Sequence, residues 1–197
     1  MRRVALMVLL SIPMAYAIDK DKDRFVAGSA SSYKGHQTSD KITIGAAPYV
    51  TDEETRKAFD KLNPNKYGVL PVLVVIENNT GKTLRLDLQA IYVGPNGAKL
   101  EATPAKDVIY VTGVKKIPKL YEPLPNPLPR REKKGPLNVW QIPGREFSTK
   151  LVPPGETAAG FFYFQTPLEN GSTIYLTGIS DASSGKEYFY YEVPLER

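Results

Sequence analysis

The sequence predicts an all-β protein, an antiparallel β-sandwich of seven to eight short strands with one short helix and a Pro-rich insertion. Three observations predict this fold: short β-branched runs, alternation of apolar and polar residues, and turn residues at close spacing. All three occur in residues 69–88, VLPVLVVIENNTGKTLRLDL. The apolar run 72–76 is too short for a helix, and Leu84, Leu86 and Leu88 then alternate with polar residues. We expect a central strand and a half-exposed strand, joined as a hairpin.

The N-terminus has the pattern of a secretory signal peptide. Arg2 and Arg3 provide a basic start, residues 4–14 form an apolar run too short to span a bilayer, and Ala-Tyr-Ala gives a cleavage site ending at Ala17. Residues 1–17 are therefore predicted to be removed on export, leaving a periplasmic or extracellular protein without a transmembrane segment. The absence of cysteine favours a bacterial setting and excludes disulfides and thiolate chemistry.

The chain after the cleavage site begins with a polar segment. Residues 18–41 are small, polar and charged without apolar periodicity, which predicts a flexible leader. The sandwich is predicted over residues 42–197, with a first strand from Ile42 to about Val50. Thr51 and Glu54 form a capping-box pattern, so a short helix is expected over roughly 52–62.

The second half of the chain shows further strands and one insertion. Residues 94–97, Gly-Pro-Asn-Gly, predict a turn, and residues 181–185 predict a hairpin connection. Residues 113–139 are basic and contain six closely spaced prolines, which exclude a helix or a central strand and predict an extended arm. Strands are predicted over 108–111, 146–152, 157–165, 173–180 and 186–193.

One motif carries a family resemblance. Pro154-Gly155-Glu156-Thr157, with Gly160, Phe164 and Pro167 after it, resembles the P-G-E-T-x-x-G-x-x-x-F-x-x-P signature of immunoglobulin-like domains in bacterial exported proteins of unknown function. Those domains also carry an E-N-x-T/S turn, as residues 77–80 do here. The resemblance covers at most residues 42–112 and 146–194. It implies an immunoglobulin-like sandwich outside the cytoplasm and no catalytic residue.

Candidate catalytic and metal-binding residues are few. Asp19, Asp21 and Asp23 resemble the start of a calcium loop, but Arg24 and Ala30 replace the glycine and the bidentate glutamate that such a loop needs. His36 is the single histidine, so nucleophilic triads and zinc sites are not supported. We predict no cofactor and no enzymatic activity. A carboxylate-dependent envelope hydrolase stays as an alternative, for example with Glu187 and Glu192.

Two aromatic strands provide one candidate binding surface. Alternation places Phe162 and Phe164 on one face and Phe161 and Tyr163 on the other, and it separates Tyr188 and Tyr190 from Phe189 and Tyr191. One face must be core. If the other face is open, its rings can stack on sugars or on apolar groups of a partner. The alternative is that the helix and the insertion cover that face. The candidate surface residues are Phe161, Tyr163, Tyr188 and Tyr190.

The Pro-rich arm provides the other candidate. It presents an apolar series on a stiff backbone, followed by a basic cluster, and such an arm loses little conformational entropy on docking. The alternative is a solvated basic loop that protects a sheet edge. The candidate binding residues are Leu120, Tyr121, Leu124, Leu128, Arg130 and Arg131.

These observations predict a non-catalytic interaction or assembly module of the bacterial cell envelope. The expected partner is an envelope protein bound through the arm, or a second copy of the chain. The alternative ligand is a carbohydrate or peptidoglycan bound by the aromatic face. The formal net charge of +5 is mildly basic, and no nucleic-acid-binding motif is present, so a nucleic-acid partner is not predicted.

Overall fold

The computed structural model describes residues 25–111 and 134–196, which form two antiparallel β-sheets and three short helices. The strands are β1 Gly35–Ser39, β2 Ile42–Pro48, β3 Leu70–Asn78, β4 Leu84–Val93, β5 Lys99–Glu101, β6 Leu151–Val152, β7 Thr157–Phe164, β8 Thr173–Asp181 and β9 Tyr191–Pro194. The first sheet has four strands in the order β1-β2-β3-β7, and the second has five, in the order β5-β4-β8-β9 with β6 also paired to β4. The helices are α1 Asp52–Phe59, α2 Ala105–Val108 and α3 Gln141–Gly144.

A main core lies between the two sheets. The alternating strands supply it: even-numbered residues of β3 and β4 point inward, where Val72, Val74 and Leu86 are almost fully buried. The all-β class predicted from the sequence is confirmed, with nine strands in the described residues instead of seven to eight. Within those residues, no helix is long and apolar enough to cross a lipid bilayer.

The predicted hairpin at residues 69–88 is wrong. Strands β3 and β4 are both present, but β3 pairs with β2 and β7 while β4 pairs with β5, β6 and β8. The connection between them therefore crosses from one sheet to the other. The apolar run in β3 explains this position, because a strand buried on both faces belongs at the centre of a covered sheet.

The predicted leader contains a strand. Residues 35–39 pair with β2 from Gly35↔Ala46 to Ser39↔Ile42, through a two-residue turn in which Asp40 and Lys41 have φ of 49° and 61°. Both positive φ angles match the twist that antiparallel strands need in such a turn. The segment is polar because β1 is an edge strand with one buried residue. The leader predicted over 18–41 is therefore corrected: regular structure begins before Ile42.

A second core covers the outer face of the first sheet. Helices α1, α2 and α3 contribute Ala58, Phe59, Val108 and Ile142 to it. Helix α1 begins with the predicted capping box, since Glu54 N–H donates to Thr51 Oγ1 at 3.2 Å. The helix ends at Phe59, three residues earlier than predicted.

Three predicted strands differ from the observed elements. The segment predicted as a strand at 108–111 begins inside α2, because the carbonyl of Pro104 accepts hydrogen bonds from Asp107 and Val108 and starts a helical turn. The strand predicted over 146–152 is reduced to β6, with a single parallel bridge between Glu146 and Phe161 before it. The strand predicted over 186–193 has regular pairing only in β9.

Candidate functional site

The outer face of the second sheet carries an exposed aromatic surface, which we define as Tyr175, Tyr188, Phe189 and Tyr190. Phe189 is 87% exposed and Tyr190 is 54% exposed, whereas Tyr175 and Tyr188 are half-buried and Tyr188 also packs against the main core. Tyr175 and Tyr190 stack with their centroids 4.8 Å apart and an interplanar angle of 23°. Two of the four residues were predicted from the sequence, and all four line one open cleft of about 440 Å³.

The segment before β9 places Tyr188, Phe189 and Tyr190 outside the regular pairing, whereas Tyr175 lies within β8. Tyr188 N–H donates to the carbonyl of Ile179 at 2.8 Å, and Ser180 and Glu187 form an isolated bridge. Regular pairing with β8 resumes only at Tyr191, which is 2% exposed. Because the chain does not follow strict alternation here, Phe189 and Tyr190 are both exposed although they are sequence neighbours.

A β-bulge shapes the floor of the cleft. Leu86 pairs with Ile179 and Gln89 pairs with Thr177, so two residues of β4 lie opposite Gly178 alone. Gly178 has a φ of +86°, and a Cβ atom there would lie 2.1 Å from the carbonyl oxygen of Asp87. Only glycine fits this position, and the close backbone contact brings β4 to the floor of the cleft.

Polar side chains border the aromatic rings. Asp87, Gln89, Thr177 and Glu187 line the same cleft and supply two carboxylates, an amide and a hydroxyl. The Asp87 carboxylate lies 3.9 Å from Lys150 Nζ, and both side chains are mostly exposed. Carboxylate and amide groups beside exposed ring faces can hydrogen-bond a ligand whose apolar side lies on the rings.

Asp181 fixes the loop that leads from β8 to the aromatic surface. Its Oδ1 accepts hydrogen bonds from the N–H groups of Ser183 and Ser184, and its Oδ2 lies 2.7 Å from Lys82 Nζ. The Asp181 side chain is buried, and these contacts, that with Lys82 first, hold the pKa of its carboxyl well below its usual range. The loop conformation therefore depends on an ionised Asp181.

This carboxylate gives a prediction for acid stability. A carboxyl with a lowered pKa in the folded state stabilises the protein above its unfolded pKa of about 3.9, and this contribution is lost as the pH falls further. We expect unfolding by urea to require less denaturant below about pH 5, with a shallower pH dependence for Asp181→Asn than for the wild type. Asp87→Asn is the control, since Asp87 is exposed. Equal pH dependence in all three proteins would contradict the role of Asp181.

The other predicted surface residues are not exposed. Phe161 and Tyr163 are each 1% exposed, so the prediction that they form an open surface is wrong. Alternation was correct in placing them opposite Phe164, but α1, α2 and α3 cover their face. The Tyr163 hydroxyl donates to the carbonyl of Ile142 at 2.7 Å, and burial raises the pKa of that hydroxyl.

The arm predicted over 113–139 is corrected at its end, because Leu137 is fully buried in the second core. The role of the candidate arm residues stays a prediction because they lie outside the described residues, as do the signal peptide and the Asp19–Asp23 motif. The arm residues are Leu120, Tyr121, Leu124, Leu128, Arg130 and Arg131.

In residues 25–111 and 134–196, no three His, Cys, Asp or Glu side chains are grouped in a way that could hold a metal ion. His36 is exposed, with Nδ1 at 2.8 Å from the carbonyl oxygen of Tyr33.

Two residues of the aromatic surface, the exposed Phe189 and the half-buried Tyr175, were not predicted from the sequence. The signal available was the run of four aromatic residues at 188–191, more than one face of a strand requires.

Comparisons with known proteins give structural neighbours only. No protein-family model and no curated protein sequence matches the chain. The X-ray structure of Northeast Structural Genomics Consortium target SoR45 is 11% identical, covers 81% of this chain and 85% of its own, and aligns with a TM-score of 0.35. The structure of a putative ApaA protein from Bordetella pertussis is 15% identical, with 83% and 92% coverage and the same TM-score of 0.35. These values are too low to support an argument about function.

Proposed function

We propose that this chain is an exported, non-catalytic binding module of the bacterial cell envelope, and that its aromatic surface binds a carbohydrate. The single observation that carries the proposal is the aromatic surface, in which Phe189 and Tyr190 are exposed and the half-buried Tyr175 and Tyr188 line the same cleft. The export signal predicted at residues 1–17 supports the envelope location. An envelope protein would meet peptidoglycan and other polysaccharides there.

The chemistry of the surface favours a sugar ligand. A pyranose ring has one face of C–H groups, which can lie on the face of Phe189 or of the stacked tyrosines, and a border of hydroxyls. Those hydroxyls would meet the carboxylates of Asp87 and Glu187 and the amide of Gln89, which border the cleft. Aromatic side chains have few rotatable bonds, so ordering them on binding costs little entropy.

The strand order supports an immunoglobulin-like fold for this module. The order β2-β3-β7 in one sheet and β5-β4-β8-β9 in the other corresponds to A-B-E and C′-C-F-G of an immunoglobulin-like sandwich. The turn at Gly155, with a φ of +77°, fits the signature that carries the resemblance. In this scheme the aromatic surface lies on the sheet containing strands C, F and G.

The Pro-rich arm over 113–139 is the second candidate binding element. Its apolar series and its basic cluster favour an envelope protein partner or self-association, as predicted from the sequence. A carboxylate-dependent hydrolase is the third hypothesis and has the least support.

Removing the exposed rings tests the carbohydrate proposal. We expect the double variant Phe189→Ala, Tyr190→Ala to bind isolated bacterial peptidoglycan at least roughly 5-fold more weakly than the wild type, because two ring contacts contribute about 0.5–1.5 kcal/mol each. The measurement is a co-sedimentation isotherm with purified peptidoglycan, repeated with soluble oligosaccharides as competitors.

Tyr110→Ala is the matched control, because Tyr110 is 39% exposed and lies away from the aromatic surface. It should bind like the wild type, and circular dichroism should show that all variants are folded. Equal binding by the double variant and the wild type would contradict a role for the aromatic surface. The search would then move to the arm, with a variant that lacks residues 113–133 and keeps Leu137, which is fully buried in the second core.

A further inference from the structure

Arg145 follows helix α3 and lies beside β7 of the first sheet, away from the aromatic surface. Its guanidinium lies between two rings, with Cζ 5.2 Å from the centroid of Phe25 and 5.9 Å from that of Trp140. Guanidinium groups stack on aromatic faces, so the two rings fix the side chain in one orientation.

The guanidinium has no polar partner in the described part of the chain. Its Nε is buried without a hydrogen bond, and no carboxylate of those residues lies within 4.0 Å of it. Asp60 is close enough to influence Arg145, but its Oδ2 accepts a hydrogen bond from Gln141. Desolvation lowers the pKa of Arg145 more than Asp60 and two tyrosines raise it. Arg145 is half-buried, and its Nε is buried without a hydrogen bond, so an anion beside the guanidinium would supply a partner that the described residues do not.

An unpaired strand edge lies beside this guanidinium. Phe161 N–H donates to the carbonyl of Arg145 at 2.8 Å, and the carbonyl of Phe161 accepts from Phe147 N–H at 3.0 Å. Both backbone groups of Phe161 therefore point outward from β7, and alternation directs those of Ala159 the same way. The ladder stops there because residues 141–144 form helix α3 instead of continuing along β7.

A small cavity joins the guanidinium to this edge. It has a volume of about 160 Å³ and lies between Phe25, Gly144 and Arg145 on one side and Ala159 to Phe161 on the other. Since a water molecule takes about 30 Å³ in the liquid, the space fits a carboxylate and a few carbon atoms. The walls supply a cation, an apolar ring and free backbone groups.

We propose that this cavity binds the C-terminal carboxylate of an extended peptide. The carboxylate pairs with the Arg145 guanidinium, whose planar donors match its two oxygens. The last residues of the peptide hydrogen-bond the outward N–H and C=O of Ala159 as an added strand. The size of the cavity favours small side chains at the end of that peptide.

Trp140 provides the readout, because it is the one tryptophan of the chain and its ring faces the Arg145 guanidinium. The probe is the N-acetylated tripeptide Ala-Ala-Ala with a free carboxylate, titrated against tryptophan fluorescence of the full chain. We expect a saturable change with the free acid. The same peptide with a C-terminal amide, and acetate alone, should each bind at least 10-fold more weakly.

Two variants separate the role of the guanidinium from folding. Arg145→Met should weaken binding of the free-acid peptide at least 10-fold. Arg145→Lys keeps the charge but lacks the planar donors, so its affinity for the free-acid peptide should lie between those of the wild type and Arg145→Met. It replaces Arg145→Met in the test if that variant does not fold. Lys150→Met should bind like the wild type, since Lys150 is exposed and outside the cavity. Any of four results would overturn the proposal. These are no saturable change in fluorescence, equal binding of the acid and the amide, equal binding of acetate and the peptide, and unaltered binding by a folded Arg145 variant.

Discussion

Replacement of Phe161 by alanine will lower the free energy of unfolding by about 3–5 kcal/mol, the usual cost of removing a buried aromatic ring. Phe161 is 1% exposed at the centre of the second core. Its ring centroid lies 4.9 Å from that of Phe59, 5.0 Å from that of Tyr49 and 5.5 Å from that of Phe25. Alanine would remove contacts with the sheet, with helix α1 and with the N-terminal segment together.

The measurement is urea-induced unfolding followed by circular dichroism. Phe189→Ala is the matched control, because it removes the same ring from a site that is 87% exposed and should change the unfolding free energy by about 0.5 kcal/mol or less. A loss below 1 kcal/mol for Phe161→Ala would mean that the second core is not packed as described. The contrast also tests the burial of this face of β7, since a surface residue at position 161 would lose no more stability than Phe189.

The two aromatic strands show what the sequence can and cannot predict about a site. Alternation correctly separated Phe161 and Tyr163 from Phe164, because the direction of side chains in a strand is a local property. Whether other elements cover a face of the sheet depends on the tertiary fold and not on the local sequence. Helices α2 and α3 have four residues each, too few for a visible apolar period, and they reach the sheet through the tertiary fold.

The sequence predicted only part of the aromatic surface, for a related reason. The sequence predicted a regular strand over 186–193, which would bury Phe189 or Tyr190 but not expose both. The chain instead joins β8 through a bridge at Glu187, and regular pairing begins at Tyr191. Irregular pairing depends on the partner strand, so alternation in one segment cannot predict it.

The strands themselves were predicted better than their pairing. The expected spans for β2, β3, β7 and β8 agree with the structure to within about two residues, because each combines an apolar period with turn residues at its ends. The β3–β4 pairing was wrong because a short polar connection is compatible with a hairpin and also with a crossing between sheets. The side chain of Asn78 decides between them.

Asn78 connects three parts of the fold through one buried side chain. It is 1% exposed, and its Nδ2 lies 2.6 Å from the carbonyl oxygen of Lys82, 2.8 Å from that of Val152 and 3.0 Å from that of Pro153. Its Oδ1 accepts hydrogen bonds from Thr80 N–H at 3.0 Å and from Thr80 Oγ1 at 2.7 Å. The amide thus fixes the crossing after β3 and joins it to β6 and to the turn before β7.

We expect Asn78→Ala to lower the free energy of unfolding by about 2–4 kcal/mol, because it leaves buried carbonyl groups without their donor. Asn78→Asp should be at least as destabilising at neutral pH, since it keeps the acceptor for Thr80 but places a second carboxylate oxygen beside three carbonyl oxygens. The measurement is urea-induced unfolding of each variant.

Asn79→Ala is the control for this pair of variants. Asn79 is exposed, and the hydrogen bond it makes to Lys41 comes from its backbone N–H, so its side chain can be removed with little effect. If Asn78→Ala and Asn79→Ala were equally stable, the crossing would not depend on the Asn78 amide. If Asn78→Asp were as stable as the wild type, the Nδ2 donor would be dispensable. We expect the wild type and Asn79→Ala to be more stable than both Asn78 variants, because the amide of Asn78 in β3 bonds the crossing, β6 and the turn before β7.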